Sequence, residues 1–120
     1  MTKHNILIGK AGEERAAEYL AGKGVYILER NYRSPHGEID IIGKMDDEYI
    51  FIEVKTRTST ACGYPEESIG SRKQNALIDT ISHFLQENKI GDVAWRIDVI
   101  SILTENKRIE IEWIQNAITC

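Results

Sequence analysis

The stretch of sequence that decides the fold is residues 37–57, GEIDIIGKMDDEYIFIEVKTR. It contains two runs rich in β-branched and aromatic residues, Gly37–Lys44 and Tyr49–Arg57, and this composition is typical of β-strands. The polar segment Met45–Glu48 between the two runs is short enough to form a tight turn. A connection this short predicts an antiparallel hairpin.

Helices and strands are predicted on both sides of this hairpin. Residues 6–23 place Ala16, Ala17 and Leu20 on one face, which predicts an amphipathic helix ending before Gly24. The other predicted elements are a strand at 25–32, a helix from Ser71 to about Lys89, and strands at 94–103 and 108–113. The order of helix, three strands, helix and two strands predicts an α/β fold in which a mixed central sheet is flanked by helices.

Length and composition limit the class of protein. The chain has 120 residues, of which 42% are hydrophobic and 28% are charged, and these values predict one globular domain spanning residues 1–120. We find no apolar run of about 20 residues and no signal-peptide pattern, so no membrane partner is expected. The two cysteines, Cys62 and Cys120, argue against a disulfide scaffold and predict a cytoplasmic protein.

The charge balance limits how the chain can meet nucleic acid. Lys and Arg number 15 against 19 Asp and Glu, which gives a formal net charge of −4. Such a balance excludes a protein that coats nucleic acid through bulk positive charge.

The first strand of the hairpin carries acidic residues within an apolar run. Because side chains alternate along a strand, Glu38 and Asp40 are predicted on one face, and Ile39 and Ile41 on the other. The next strand repeats the arrangement, with Glu53 and Lys55 on one face. Acids and a lysine on paired strands can converge on one spot, where Mg²⁺ or Mn²⁺ finds the oxygen ligands that it prefers. The alternative is a solvated face with cross-strand ion pairs.

The tripeptide Glu53-Val54-Lys55 is not specific in itself. The same acid-x-Lys spacing occurs at Glu87-Asn88-Lys89 and at Glu105-Asn106-Lys107. Those two copies fall at a predicted helix end and in a predicted turn, where charged residues are expected. The signal is therefore the position of Glu53-Val54-Lys55 inside an apolar strand.

Glu13 is a second acid in an apolar context. It lies one turn before Ala16 and Ala17 on the first predicted helix, within the apolar face. A buried carboxylate is unfavourable unless it is paired, protonated or bound to a cation. The alternatives are an exposed helix edge or a structural salt bridge.

Taken together, these segments resemble a known family of bacterial proteins. The matching residues extend from about Gly9 to Ala117 and include Gly12-Glu13 with Ala16, Ala17 and Leu20, Asn31-Tyr32-Arg33, Gly37–Ile42, Phe51–Arg57, Gly63 with Pro65, Lys73-Gln74 and Arg96–Val99. They resemble the YraN-like uncharacterised bacterial family. That family in turn is similar to the PD-(D/E)xK nucleases, the restriction-endonuclease-like superfamily that includes archaeal-type Holliday-junction resolvases. The resemblance implies a restriction-endonuclease-like α/β sandwich.

The resemblance also implies an activity, which is metal-dependent hydrolysis of DNA phosphodiester bonds, with branched or structured DNA as a candidate substrate. By matching position, Asp40 is the acid of the first motif, and Glu53 and Lys55 form the second. Ile39 stands where the name of the motif expects proline. Asp40 and Glu53 are then the expected ligands of Mg²⁺ or Mn²⁺, with the Val54 carbonyl oxygen as a candidate third ligand.

Other residues receive roles from the same resemblance or from their position beside the predicted site segments. Glu13 matches an acid on the N-terminal helix that binds the metal directly or through water, and Glu38 is a candidate for contact with the ligands or with a helix. Arg33, Arg57 and Lys73 are candidates for phosphate contacts, although single surface cations of this kind are usually solvated.

Gln74 matches a glutamine motif on the helix after the site, and its alternative role is a capping box with Ser71. Arg96 and Asp98 share a strand face, and here a structural ion pair is the favoured interpretation.

Two further functional hypotheses remain beside the nuclease. The first is a nucleic-acid-binding module of the same fold without cleavage activity, and the second is an interaction protein whose acids only form ion pairs. By analogy of fold alone, a homodimer is also expected, because DNA junctions have two-fold symmetry.

Overall fold

The computed structural model describes the backbone of residues 3–57 and 71–118, and the side chains of residues 11–57 and 72–118. Within these ranges the elements are α1 (Lys3–Gly22), β1 (Tyr26–Ser34), β2 (Gly37–Met45), β3 (Glu48–Arg57), α2 (Ser71–Glu87), β4 (Trp95–Glu105) and β5 (Arg108–Ile118). Their order agrees with the prediction from sequence. The largest difference is that β5 continues beyond Trp113 to Ile118. The motif residues Gly63 and Pro65, and both cysteines, lie outside the described residues.

The strands form a five-stranded mixed sheet in the order β1-β2-β3-β4-β5. The pairs β1/β2, β2/β3 and β4/β5 are antiparallel, and β3/β4 is parallel. A parallel pair requires a crossover connection, and α2 belongs to the segment that makes it. The predicted mixed sheet is therefore confirmed, with its parallel pair in the middle of the strand order.

One helix packs on each face of the sheet. Leu77 and Phe84 of α2 belong to a buried cluster with Phe51, whereas Ala16 and Leu20 of α1 belong to a second cluster on the other face. Alternation along the strands explains the division, because successive side chains of a strand point to opposite faces. The chain is thus an α/β protein whose sheet is flanked by two helices, as predicted.

The alternation predicted for the start of β2 is wrong. Ile39 and Ile41 were expected on one face, but Ile39 packs in the cluster of α2 and Ile41 in the cluster of α1. The pairing of β2 with β3 ends at Ile41 and Ile52, so no regular ladder between these two strands holds Ile39 and Asp40. The strand therefore departs from regular alternation between Ile39 and Ile41.

Both helices end in a Schellman arrangement. At the end of α1, Val25 N–H donates to the carbonyl of Leu20 at 3.0 Å, and Gly24 has a φ of 98°, as its predicted capping position requires. At the end of α2, Ile90 N–H donates to Leu85 at 2.8 Å, and the left-handed residue is Lys89, with a φ of 54°. The second helix therefore ends through a lysine and not through Gly91.

Candidate functional site

Asp40 lies where the antiparallel ladder between β2 and β3 stops. The last paired residues are Ile41 and Ile52. Two residues further along β3, the N–H of Val54 donates to Oδ2 of Asp40 at 2.8 Å. The side chain of Asp40 thus accepts a hydrogen bond that a backbone carbonyl would accept in a continuing ladder. This contact fixes the carboxyl group of Asp40 against β3.

The environment of Asp40 is unfavourable for a negative charge. Burial and, second to it, the negative charge of Glu53 raise the pKa of Asp40 from 3.8 to about 7, although the hydrogen bond from the Val54 N–H acts in the opposite direction. Glu13 and Glu38 add smaller contributions that also raise this pKa. Three other acids, Glu13, Glu38 and Glu53, therefore interact electrostatically with Asp40.

Glu53 is the most buried of these acids, with 9% of its surface exposed. Its Oε1 atom lies 2.8 Å from Nζ of Lys73 on α2 and 3.4 Å from Nζ of Lys55 on its own strand. The two ammonium groups thus converge on one carboxylate oxygen. The charge of Glu53 is balanced from the helix as well as from the strand.

The pKa values of the two lysines are shifted in opposite directions. Burial lowers the pKa of Lys55, and the neighbouring Lys73 lowers it further, although Glu53 acts in the opposite direction. Burial also disfavours the charge of Lys73, but its hydrogen bonds to Glu53 and to Lys55 outweigh burial and raise its pKa. Of the two side chains, Lys55 is the one that gives up a proton more easily than an ordinary lysine.

α1 approaches β3 closely next to Lys55. A Cβ atom on Gly12 would collide with Oγ1 of Thr56 and would lie 3.3 Å from its Cβ, so only glycine lets the helix lie this close. Glu13 follows Gly12 in sequence and is half-buried. The contact explains how an acid of α1 comes within electrostatic range of Asp40, although α1 lies on the opposite face of the sheet from α2.

The site opens into a cleft of about 190 Å³ beneath α2. Its lining residues are Gly37, Glu38, Asp40, Glu53, Lys73, Ala76 and Leu77. Glu38 is exposed at this cleft, and its carboxylate lies 3.4 Å from Nε of Arg33. Arg57 is half-buried at the end of β3, and its Nε has no hydrogen-bond partner in the described part of the chain.

A second, larger depression of about 510 Å³ lies at the other end of the sheet order, at the tip of the β4–β5 hairpin. Its lining residues are Leu103, Glu105, Asn106, Arg108 and Glu110. None of the residues predicted for the site from sequence lines it. Size alone therefore does not identify the functional cleft, and the convergence of charged groups favours the smaller one.

The donor atoms at Asp40 and Glu53 fit a hard divalent cation. Among the side chains that the structure describes, no three His, Cys, Asp or Glu form a group compact enough to hold a metal ion. Two carboxylates nevertheless suffice for Mg²⁺, which usually keeps several waters and binds through one or two carboxylates. Burial is the largest cause of the raised pKa of Asp40, and repulsion by the negative charge of Glu53 is the second. A bound cation would neutralise the excess negative charge that causes this repulsion.

Comparison with known proteins identifies the family of the chain. The sequence profile of the uncharacterised protein family UPF0102 matches residues 12–102. The chain belongs to this family. The match includes Glu13, Asp40, Glu53, Lys55 and Lys73.

Relatives of this UPF0102 protein match over most of their length. A UPF0102 protein of Clostridioides difficile is 46% identical over 101 residues, which cover 84% of this chain and 89% of the relative. A UPF0102 protein of Alkaliphilus oremlandii is 42% identical over 115 residues, or 94% of this chain and 98% of the relative. A third, from Syntrophotalea carbinolica, is 37% identical over 117 residues, which cover 98% and 95% of the two chains.

The described helices of this UPF0102 protein include none long and apolar enough to cross a membrane.

The contact of Lys73 with Glu53 was not predicted from sequence, which suggested only a phosphate contact for this lysine. A signal was present, because Lys73 lies four residues before Leu77, on the face of α2 that packs on the sheet. Gln74, its neighbour, is half-buried in the first turns of α2. The capping box predicted between Ser71 and Gln74 involves a side chain outside the described ones.

The predicted ion pair of Arg96 and Asp98 is confirmed, and it belongs to a larger network. Asp98 is fully buried, and Nε of Arg96 lies 3.1 Å from both of its carboxylate oxygens. Trp113 Nε1 and the N–H of Asn116 also donate to Asp98, at 2.8 and 2.7 Å. Arg96 reaches Glu48 as well, at 2.8 Å. With its charge satisfied by four donor contacts, Asp98 has a structural role.

Proposed function

We propose that this UPF0102 protein is a metal-dependent endonuclease that hydrolyses DNA phosphodiester bonds and uses Mg²⁺ or Mn²⁺. The observation that supports this most directly is the meeting of Asp40 and Glu53 with Lys55 at the end of the β2–β3 ladder. A protein that only binds DNA has no use for two carboxylates at a phosphate site, because they repel the phosphate. A cation between the carboxylates and the phosphate reverses that effect.

The proposal includes a restriction-endonuclease-like fold. Three features support it: the mixed five-stranded sheet, the helix on each face, and the acids at the point where β2 and β3 separate. The DNA partner and the preference for branched or structured substrates are part of the same proposal.

Phosphodiester hydrolysis needs an activated water, charge neutralisation at phosphorus and stabilisation of the leaving oxygen. When bound by Asp40 and Glu53, with the Val54 carbonyl oxygen as a candidate third ligand and Glu13 farther out, a divalent cation would supply Lewis acidity for these steps. Lys55 adds a basic group, since its lowered pKa lets the amine orient or deprotonate the attacking water.

The remaining cationic residues would bind the phosphates of the DNA substrate. Arg33 lies on β1 beside Glu38, which lines the cleft, and Arg57 is the last residue of β3. Guanidinium groups bind phosphate oxygens through paired hydrogen bonds. Nε of Arg33 lies 3.4 Å from the carboxylate of Glu38, and both side chains are exposed. Gln74 and Lys73 present polar groups from α2.

A cleavage assay tests this function. The purified chain is incubated with Mg²⁺ or Mn²⁺ and with linear duplex, single-stranded, flapped and four-way DNA, and EDTA serves as the blank. Asp40→Asn and Lys55→Ala are expected to lower the cleavage rate at least about 100-fold, since each removes a group that acts on the reacting atoms. Asp47→Asn and Lys23→Ala remove equal charges at exposed positions outside the cleft and should keep the wild-type rate.

Two outcomes would contradict the proposal. Cleavage that survives both Asp40→Asn and Lys55→Ala would assign the activity to another centre or to a contaminant. A wild-type protein that shifts DNA on a gel but cuts none of the substrates would favour the nucleic-acid-binding module instead.

A further inference from the structure

Lys73 neutralises a carboxylate that the proposed function assigns to the cation. Its Nζ lies 2.8 Å from Oε1 of Glu53, closer than the 3.4 Å of Lys55. The side chain of Glu53 is 11% exposed, whereas that of Lys73 is 42% exposed. A buried carboxylate is therefore paired with an ammonium group that remains accessible to solvent.

We propose that Lys73 is an exchangeable counter-ion, whose ammonium group holds Oε1 of Glu53 in the cation-free protein and is released toward the cleft when a divalent cation binds. This inference rests on the proposed function, because it assumes that Glu53 binds the cation. It adds a mechanism by which a cation bound at Glu53 would make a second positive charge, that of Lys73, available to the substrate.

The exchange follows from geometry and charge. A divalent cation binds carboxylate oxygen at about 2.0–2.6 Å, so a cation held by Glu53 would lie close to the Lys73 ammonium group, which is 2.8 Å from Oε1, and the two would compete for the carboxylate. Two neighbouring positive charges also repel each other in a site of low dielectric constant. Of the three positive groups around Glu53, which would be the cation, Lys55 and Lys73, one must then move.

Lys73 is the group that can move with least disturbance. Lys55 is only 19% exposed and is held on the central strand β3. Lys73 belongs to the first turns of α2 and lines the cleft, and its four-carbon stem allows the ammonium group to move by rotamer changes alone. After release the ammonium group lies at the mouth of the cleft, where a phosphate would enter.

This arrangement couples cation binding to phosphate binding. Without a cation, Lys73 is engaged by Glu53 and contributes little to phosphate binding. With a cation, the same lysine is free for the substrate. Because coupling between two binding sites is reciprocal, the substrate should also tighten the binding of the cation.

The inference predicts opposite effects of one substitution. Lys73→Gln removes the competitor, so Mn²⁺ alone should bind about tenfold more tightly than to wild type. The same variant lacks the released charge, so in the presence of Ca²⁺ it should bind four-way DNA several-fold more weakly. A lysine with a purely structural role would not produce this reversal.

Isothermal titration calorimetry with Mn²⁺ on the full chain measures the first effect. Arg72→Gln removes the same charge from the adjacent, exposed position of α2 and is the matched control, with wild-type Mn²⁺ affinity expected. Mn²⁺ affinity that is unchanged or weaker in Lys73→Gln would overturn the inference. Glu53→Gln distinguishes a failure of this inference from a failure of the proposed function. If Glu53→Gln leaves Mn²⁺ binding intact, Glu53 does not bind the cation, and the cation site and the proposed function fail together.

A measurement on the wild-type protein does not depend on how the variant folds. In protein with ¹³C-labelled lysine, the Lys73 side-chain methylene signals should shift and sharpen as Mg²⁺ is added, because the ion pair is released. Signals that stay unchanged while Mg²⁺ demonstrably binds would show that Lys73 keeps its contact with Glu53, and would overturn the inference.

Discussion

At the scale of single residues, Asp40 links the fold of the chain to the chemistry of its site. Its carboxyl group accepts the N–H of Val54, which gives it a structural role, and burial next to Glu53 raises its pKa to about 7. The ordinary value of 3.8 applies once the chain unfolds. Between these two values the folded protein holds a proton that the unfolded chain has lost.

The sign of the resulting pH dependence follows directly. Where the folded state binds more protons, stability falls as the pH rises, so the protein without divalent cations should lose stability from about pH 4 to pH 7. Asp40→Asn removes this titration and keeps an oxygen that can accept the Val54 N–H. We expect its stability relative to wild type to be greater at pH 8 than at pH 5, by roughly 1–3 kcal/mol.

Urea denaturation in EDTA at the two pH values measures this difference. Asp47→Asn, in the exposed turn between β2 and β3, controls for the loss of one negative charge. An Asp40→Asn variant whose relative stability is the same at both pH values would show that Asp40 titrates normally in the folded protein.

Residue patterns allowed part of the site to be predicted. Asp40, Glu53 and Lys55 could be selected because charged residues within apolar strands are rarely buried without a partner. The spacing of Lys73 from Leu77 indicates that Lys73 lies on the face of α2 that packs on the sheet, but it does not indicate that Glu53 is the residue it meets, because that depends on where α2 lies relative to β3. Two partners of Asp98, Trp113 and Asn116, could not be predicted either, since they come from another strand.

At the scale of the elements, the packing of α1 on β3 depends on Gly12. Gly12→Ala would place a Cβ atom against Oγ1 of Thr56 and should force the helix away from the strand. Overpacking of this kind destabilises by about 1–3 kcal/mol. Cleavage should fall as well, because Glu13 and Lys55 are the neighbours in sequence of the two colliding residues.

Thermal and urea unfolding of Gly12→Ala measure the loss of stability. Gly22→Ala is the control in the same helix, where an added Cβ meets nothing within 4 Å; it should be neutral or stabilising by up to about 1 kcal/mol. Combining Gly12→Ala with Thr56→Ala should recover part of the loss, which a double-mutant cycle reports as coupling. Equal effects of the two glycine substitutions would contradict the close approach.

Element types were predictable because periodicity reports them directly, but the details near the site were not. The hydrophobic pattern predicts the order of α1, α2 and the strands. The separate faces of Ile39 and Ile41 depend instead on where the β2–β3 ladder stops. Where the ladder stops, the side chain of Asp40 accepts the N–H of Val54, a contact that the apolar pattern does not indicate. The left-handed conformation of Lys89 was also not predicted, because glycine is the usual residue at this position after a helix.

At the scale of the whole molecule, the net charge of −4 bears on how DNA is bound. Glu13, Glu38, Asp40 and Glu53 are four of the 19 acids, and two divalent cations there would offset the whole formal excess. We therefore expect DNA affinity to depend on the cation. Duplex or four-way DNA should bind at least about tenfold more tightly with Ca²⁺ than with EDTA, because carboxylates next to a phosphate repel it.

Fluorescence anisotropy of labelled DNA measures this dependence, and Asp40→Asn is expected to reduce it. If Arg33, Arg57 and Lys73 are the phosphate contacts, the logarithm of affinity should fall with the logarithm of salt concentration with a slope of roughly −3. Equal binding of DNA by the cation-free protein would contradict the assignment of the acids.

The mixed sheet and its two helical layers could be predicted from the order of elements, but the pairing of helices with faces could not. That pairing depends on the long-range contact of β3 with β4. It matters for the site, because Glu13 comes from the helix on one face and Lys73 from the helix on the other. The single domain and the homodimer stay predictions.

The parallel pair has a consequence for the order of folding. Short turns join β1 to β2, β2 to β3 and β4 to β5, whereas Glu53 pairs with Val99 across the whole crossover. Closing so long a loop is slow relative to hairpin formation. The β1–β3 meander can therefore bring Asp40 and Glu53 together before α2 is in place. During that interval their repulsion has no ammonium group from Lys73 to relieve it, so the step that closes the crossover also neutralises the site.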